Sequence, residues 1–188
     1  MPRDRFIQRK TAILSKLDKS SIGKWDKKIK SLCDKINALN NFYTTSSCSG
    51  RVIIMVEQNK KGKDLFSKVW HDKINFKELK KELNVLEKKK DIIKFKLEPP
   101  IVHIACRDLK NASYMLEKAK YVGFKRSSIL TSERNIILEL NSSDRLEFPI
   151  IKNEKILVED EFLKLIVKIS NEKLEKGWEK IKKLEKKV

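Results

Sequence analysis

Glycine is scarce in this chain of 188 residues, and its five copies stand far apart, at Gly23, Gly50, Gly62, Gly123 and Gly177. Phosphate cradles for dinucleotides and triphosphates need closely spaced glycines, because only a backbone without Cβ comes near enough to a phosphate. Neither G-x-G-x-x-G nor G-x-x-x-x-G-K-[ST] can be drawn here. The doubly wound sheets built around such loops are excluded, and with them classical kinases, GTPases and dehydrogenases.

What the chain has in excess is positive charge. Lys and Arg number 44 against 26 Asp and Glu, a formal net charge of +18. Such a field favours polyanions, and nucleic acid is the commonest of these. Part of the excess has a plainer source, since Glu78/Lys81, Glu172/Lys176 and Glu179/Lys183 stand at helical neighbour spacing on solvated faces. No run reaches the roughly 20 apolar residues of a membrane span, and "MPRDRFIQRK" lacks an apolar signal region, so the cytosol is the expected compartment. Three widely spaced cysteines, Cys33, Cys48 and Cys106, suit a reducing environment.

Periodicity predicts interleaved helices and strands. Phe6, Ile7, Leu14 and Leu17 share a helical face near the N-terminus. A second helix carries Ile22, Trp25, Ile29, Leu32, Cys33, Ile36 and Leu39, with Ser20 or Ser21 as its cap. "FYTTSSCSGRVIIMVEQ" reads as two strands pivoting near Gly50, followed by the polar loop 59–64 and a third strand in "LFSKVWHDKI". A helix on Phe76, Leu79, Leu83 and Leu86 precedes the strands "DIIKFKLE" and "IVHIACR", which Pro99-Pro100 must separate because proline cannot donate to a ladder. Asp108 caps the next helix, and Gly123 stops it. Strands "FKRSSIL", "RNIILEL" and "RLEFPII" follow, then a long helix from about Glu159. The expected class is α/β (α+β): a mixed β-sheet with packed helices, not of Rossmann type, flanked by N- and C-terminal helices in a single domain over 1–188.

Several residues carry chemical potential. Thr44 to Arg51, "TTSSCSGR", can form a nest of N–H groups for an anion with Arg51 as a forked cation; the same letters also describe a polar turn. Cys48 and Arg51 are too close for a phosphatase loop. His103 and Cys106 fall on opposite faces of one strand, and no C-x-x-C exists, so no metal site is expected. Trp70 beside His71 offers a stacking platform for a base. His103 lies on a strand face with Ile101 and Ala105, the usual place of a satisfied core histidine. Glu98 reads equally as a base or as a strand-end carboxylate.

In order, "LDKSSIGKWDKKI", "YTTSSCSGR", "KVWH", "KFKLEPPIVHIACR", "GFKRSS" and the late "FP" resemble the tRNA wybutosine-synthesising protein 3 family, from Asp18 to the final helix. The resemblance implies a methyltransferase using S-adenosylmethionine. Its substrate would be the ring nitrogen of the tricyclic 4-demethylwyosine-type base beside the anticodon of tRNA-Phe. It implies an α/β fold without the glycine loop, as the glycine count requires. Within that frame His103 is expected to take the ring proton, with Glu98 orienting it or serving in its place. Ser47, Ser49 and Arg51 are assigned to the cofactor, and Trp70, His71, Lys125 and Arg126 to the RNA. Two alternatives are a non-catalytic basic RNA-binding module and a thiol enzyme using Cys48.

Overall fold

The computed structural model describes residues 4–16, 26–57, 65–132 and 135–188. In chain order its elements are α1 (Arg5–Leu14), α2 (Lys27–Ala38), β1 (Phe42–Cys48), β2 (Arg51–Val56), β3 (Phe66–Trp70), α3 (Phe76–Leu86), β4 (Ile93–Glu98), β5 (Ile101–Cys106), α4 (Leu109–Tyr121), β6 (Ser128–Ser132), β7 (Asn135–Asn141), β8 (Leu146–Lys152), β9 (Lys155–Ile156) and α5 (Asp160–Glu185). The sequence reading anticipates this order except for the two-residue β9. The chain divides into two compact units, Met1–Ser49 with Pro100–Ser143 and Trp178–Val188, and Gly50–Pro99 with Asp144–Gly177.

The first unit is built on a four-stranded antiparallel sheet in the order β1-β5-β7-β6. On β5, Val102, Ile104 and Cys106 point into the core and meet Ile29, Leu32, Cys33 and Ile36 of α2, Ala112, Met115 and Ala119 of α4, and Ile181 and Leu184 of α5. Alternation leaves Ile101, His103 and Ala105 on the other face. The helix ends follow their chemistry. Asp26 caps α2, accepting from Lys28 N, while the expected cap residues Ser20 and Ser21, with Ile22 and Trp25, lie outside the described residues. Asp108 caps α4 as expected, and Gly123 ends it at φ 109, in the left-handed region that a side chain disfavours. α1 has no buried residue; Phe6 packs on Tyr43 of β1 with ring centroids 5.2 Å apart.

One expected strand starts later than its letters suggest. Phe124 to Ser127 form a turn closed by Ser127 N and Oγ on the Phe124 carbonyl, at 3.3 and 2.7 Å, and pairing begins only at Ser128. Phe124 is apolar because it fills the core and not because it lies in a ladder.

The second unit holds the five-stranded antiparallel sheet β3-β2-β4-β8-β9. Strand β4 alternates buried Ile93, Phe95 and Leu97 with half-buried Lys94, Lys96 and Glu98. Phe95 stacks on Phe148, whose ring meets Phe162 of α5 edge-on at 5.6 Å. Asn75 opens α3 with a capping box to Glu78. The polar loop 59–64 lies outside the described residues. Among the described residues no helix is long and apolar enough to cross a membrane.

Candidate active site

A polar row crosses the sheet of the first unit on the face away from its core. Ser46 of β1 stands opposite His103 of β5, and His103 stands opposite Glu139 of β7. Ser46 Oγ lies 2.8 Å from His103 Nδ1, and His103 Nε2 lies 3.0 Å from Glu139 Oε2. The imidazole and the carboxylate are each about a quarter exposed, at 27% and 26%, and Ser46 is exposed. The second Glu139 oxygen accepts from Asn141 Nδ2 at 3.3 Å. His103 is thus a satisfied histidine on an accessible face. The carboxylate hydrogen-bonded to it is Glu139, whereas Glu98, expected to orient His103 or to serve in its place, accepts from Arg51 in the second unit.

Ser46 reaches this row because β1 is bulged. The register shifts between Thr44 and Ser46, so Thr45 has no partner across the ladder. Thr44 N donates to Asn37 Oδ1 of α2 at 2.7 Å. The extra residue exchanges faces for everything beyond it. Ser46 and Cys48 therefore join His103, and Ser47 turns to the Cys33 thiol of α2. Ser49, the next hydroxyl, is fully buried; its N–H donates to Asp26 Oδ2 at 2.8 Å, and among the described residues its Oγ has no hydrogen-bond partner. One aspartate therefore caps α2 and holds the serine-rich loop. Its carboxylate and the Cys48 thiol lie within 4.8 Å of one another. Lys125 and Arg126 are exposed in the turn before β6, and Arg126 N bonds the carbonyl of Asn141, two residues beyond Glu139.

In the second unit Arg51 opens β2 directly opposite Glu98, which closes β4. Arg51 Nε donates to Glu98 Oε2 at 2.7 Å, Lys96 Nζ stands 3.3 Å from Glu98 Oε1, and the guanidinium lies 5.5 Å from the Phe66 ring centre. Burial works to raise the Glu98 carboxyl. The hydrogen bond and charge of Arg51, then those of Lys96, outweigh burial and hold it below the usual carboxylate range. Trp70 pairs with Val52, one position from Arg51, so its side chain leaves the sheet on the opposite face. Lys68 Nζ lies 6.0 Å from its ring centre, and His71, half-buried, follows the strand.

The comparisons with known proteins agree with this architecture. The family model described as methyltransferase TYW3 matches residues 8–188. The chain belongs to the TYW3 methyltransferase family. A relative from Methanocaldococcus jannaschii, 38% identical over 159 residues, covers 82% of this chain and 81% of its own; it is named a tRNA(Phe) 7-((3-amino-3-carboxypropyl)-4-demethylwyosine(37)-N(4))-methyltransferase. One from Archaeoglobus fulgidus with the same name is 35% identical over 164 residues, 86% and 82% of the two chains. A solved structure from Pyrococcus horikoshii superposes with a TM-score of 0.86 at 31% identity, over 97% and 95% of the two chains.

In this TYW3 family member the sequence reading named His103, Arg51 and the serine-rich loop as candidates and did not name the residues that hold them. Glu139 had a signal, being the one charged side chain in the strand "NIILELN". Asp26 had a weaker one, an acidic residue at a helix start. Ser46 and Asn37 had none, since they depend on the bulge. Two of the thiols belong to the core: burial pushes Cys33 up to about 11 and Cys106 up to about 12, so neither supplies a thiolate near neutrality.

Proposed function

We propose that this TYW3 family methyltransferase acts on the tricyclic wyosine precursor beside the anticodon of tRNA-Phe, at its N4, with S-adenosylmethionine as donor. The observation that carries the reading is the 38% identity with the Methanocaldococcus jannaschii enzyme of that name over four-fifths of both chains. Both units belong to one functional domain in this reading, in keeping with a family model that spans them. The cytosol is the compartment it assigns.

The donor carries a carboxylate, and this chain offers groups that fit one. Arg51 uses only its Nε on Glu98, which leaves its terminal nitrogens as a charged fork, and Ser49 keeps a buried hydroxyl without a partner among the described residues. Arg51 is assigned to the carboxylate or to an RNA phosphate, Ser47 and Ser49 to the polar groups of the donor. When bound, S-adenosylmethionine supplies an electrophilic methyl group. Glu98, paired with two cations and held below the usual carboxylate range, is a poor proton acceptor and a good anchor for Arg51. His103 is assigned as the base that removes the ring proton, because its imidazole is accessible and held in place at both nitrogens. Trp70 is assigned to stacking on an unpaired base, with His71, Lys125 and Arg126 contacting RNA.

Mass spectrometry of precursor-bearing tRNA-Phe after incubation with the protein and S-adenosylmethionine tests the activity. A gain of one methyl on the tricyclic base is expected, with none on tRNA lacking the precursor. Binding of the tRNA without any methyl gain would leave only an RNA-binding module.

A further inference from the structure

Glu139 and Ser46 occupy the two nitrogens of His103, and their chemistry decides which nitrogen carries the proton. An ionised carboxylate only accepts hydrogen bonds, so Nε2, facing Glu139 Oε2 at 3.0 Å, must bear a hydrogen. In the neutral ring Nδ1 is then a bare lone pair, and Ser46 Oγ, 2.8 Å away, donates to it. Glu139 cannot turn away easily, because Asn141, buried in the sheet, holds its other oxygen. Ser46 is the outermost and most exposed member of the row.

We propose that Glu139 is a positioning residue that fixes His103 as its Nε2–H tautomer, and that the Ser46 hydroxyl carries the substrate's ring proton to Nδ1. The inference rests on the assignment of His103 as the base. The N–H bond of the substrate breaks and its proton goes to Ser46 Oγ as the Ser46 proton passes to Nδ1. The positive charge comes to rest on the imidazolium between Ser46 and Glu139. The electron pair left on the ring nitrogen forms the new bond to the methyl carbon, and the electrons of the broken S–CH₃ bond stay on sulfur, which leaves as a neutral thioether.

Nitrogen-15 spectra of the 188-residue chain labelled at histidine read the tautomer directly. The chain has two histidines, so His103→Ala assigns the signals by removing one set. At a pH where the ring is neutral, the wild type should show a protonated Nε2 and a bare Nδ1. Glu139→Gln, which keeps the shape but can donate as well as accept, should give mixed tautomers. Its kcat should fall by about tenfold or more with KM kept, as when the partner orienting a histidine is lost. Glu139→Asp should recover part of both, and Ser46→Ala should lower kcat to a similar degree with an unchanged tautomer. An unaltered tautomer in Glu139→Gln, or wild-type kcat in either Glu139→Gln or Ser46→Ala, overturns the proposal. Should His103→Ala itself turn over at the wild-type rate, the base assignment falls, a different outcome from an inactive His103→Ala beside a fully active Glu139→Gln.

Discussion

Glu98 accepts from Arg51 and faces Lys96, and its carboxyl is held below its usual value of 4.5. A carboxyl depressed by folding stabilises the native state above its unfolded value, and that contribution is lost as acid approaches the folded one. Wild type should therefore unfold at a higher temperature than Glu98→Gln near neutrality. The gap should close as the pH falls below 4.5. Thermal unfolding of the two proteins across an acid series checks this, and a gap that persists or widens in acid would contradict the ion pair's role. Individual candidate residues were legible to different degrees. His103 and Arg51 stand out by type alone, whereas the partners that give them meaning come from other strands and are set by register. Glu98, five positions before His103, was the nearer carboxylate in sequence, but the strand opposite supplies Glu139.

The bulge in β1 shows how an element can defeat alternation. Counting outward from Tyr43, strict alternation brings Ser47 to the His103 face; the unpartnered Thr45 brings Ser46 there instead. Asn37 sustains this by accepting from Thr44 N at 2.7 Å, while its Nδ2 donates to Thr44 Oγ1 at 3.1 Å. Removing the acceptor leaves a buried N–H unpaired, so Asn37→Ala should cost about 1–3 kcal/mol in denaturant unfolding and should lower turnover by disturbing Ser46. Wild-type stability would mean that the bulge holds itself. Elsewhere the helices were well marked by their apolar stripes, and α4 by its Asp108 cap, whereas Asp26 caps α2 in place of the expected Ser20 or Ser21. The strand after α4 was not, because the apolar residue at its expected start, Phe124, belongs to a turn.

At the scale of the whole molecule, the net charge of +18 favours a polyanion without saying where it would bind. On α3 and just beyond it, Lys77, Lys81 and Lys88 are exposed around a shallow groove that also includes Phe76, Asn84 and Val85, and among the described residues none of the three has an ion pair. Each phosphate neutralised releases counterions, so the triple Lys→Ala variant should reduce the slope of log affinity against log salt by about 2–3 for the tRNA. An unchanged slope would move the RNA contact elsewhere. The class of fold followed from the interleaved periodicities and the missing glycine loop. The partition into two sheets did not, although Pro99-Pro100, which no ladder tolerates, marks one of the places where the chain passes from one unit to the other.

Those passages fall at Ser49/Gly50, Pro99/Pro100, Ser143/Asp144 and Gly177/Trp178. No choice of start and stop codon yields either unit alone, and the first is complete only when Trp178–Val188 has left the ribosome, since Ile181 and Leu184 fill its interior. A nascent chain halted before that point has the entire Ser46–His103–Glu139 row already synthesised and the interior behind it still open.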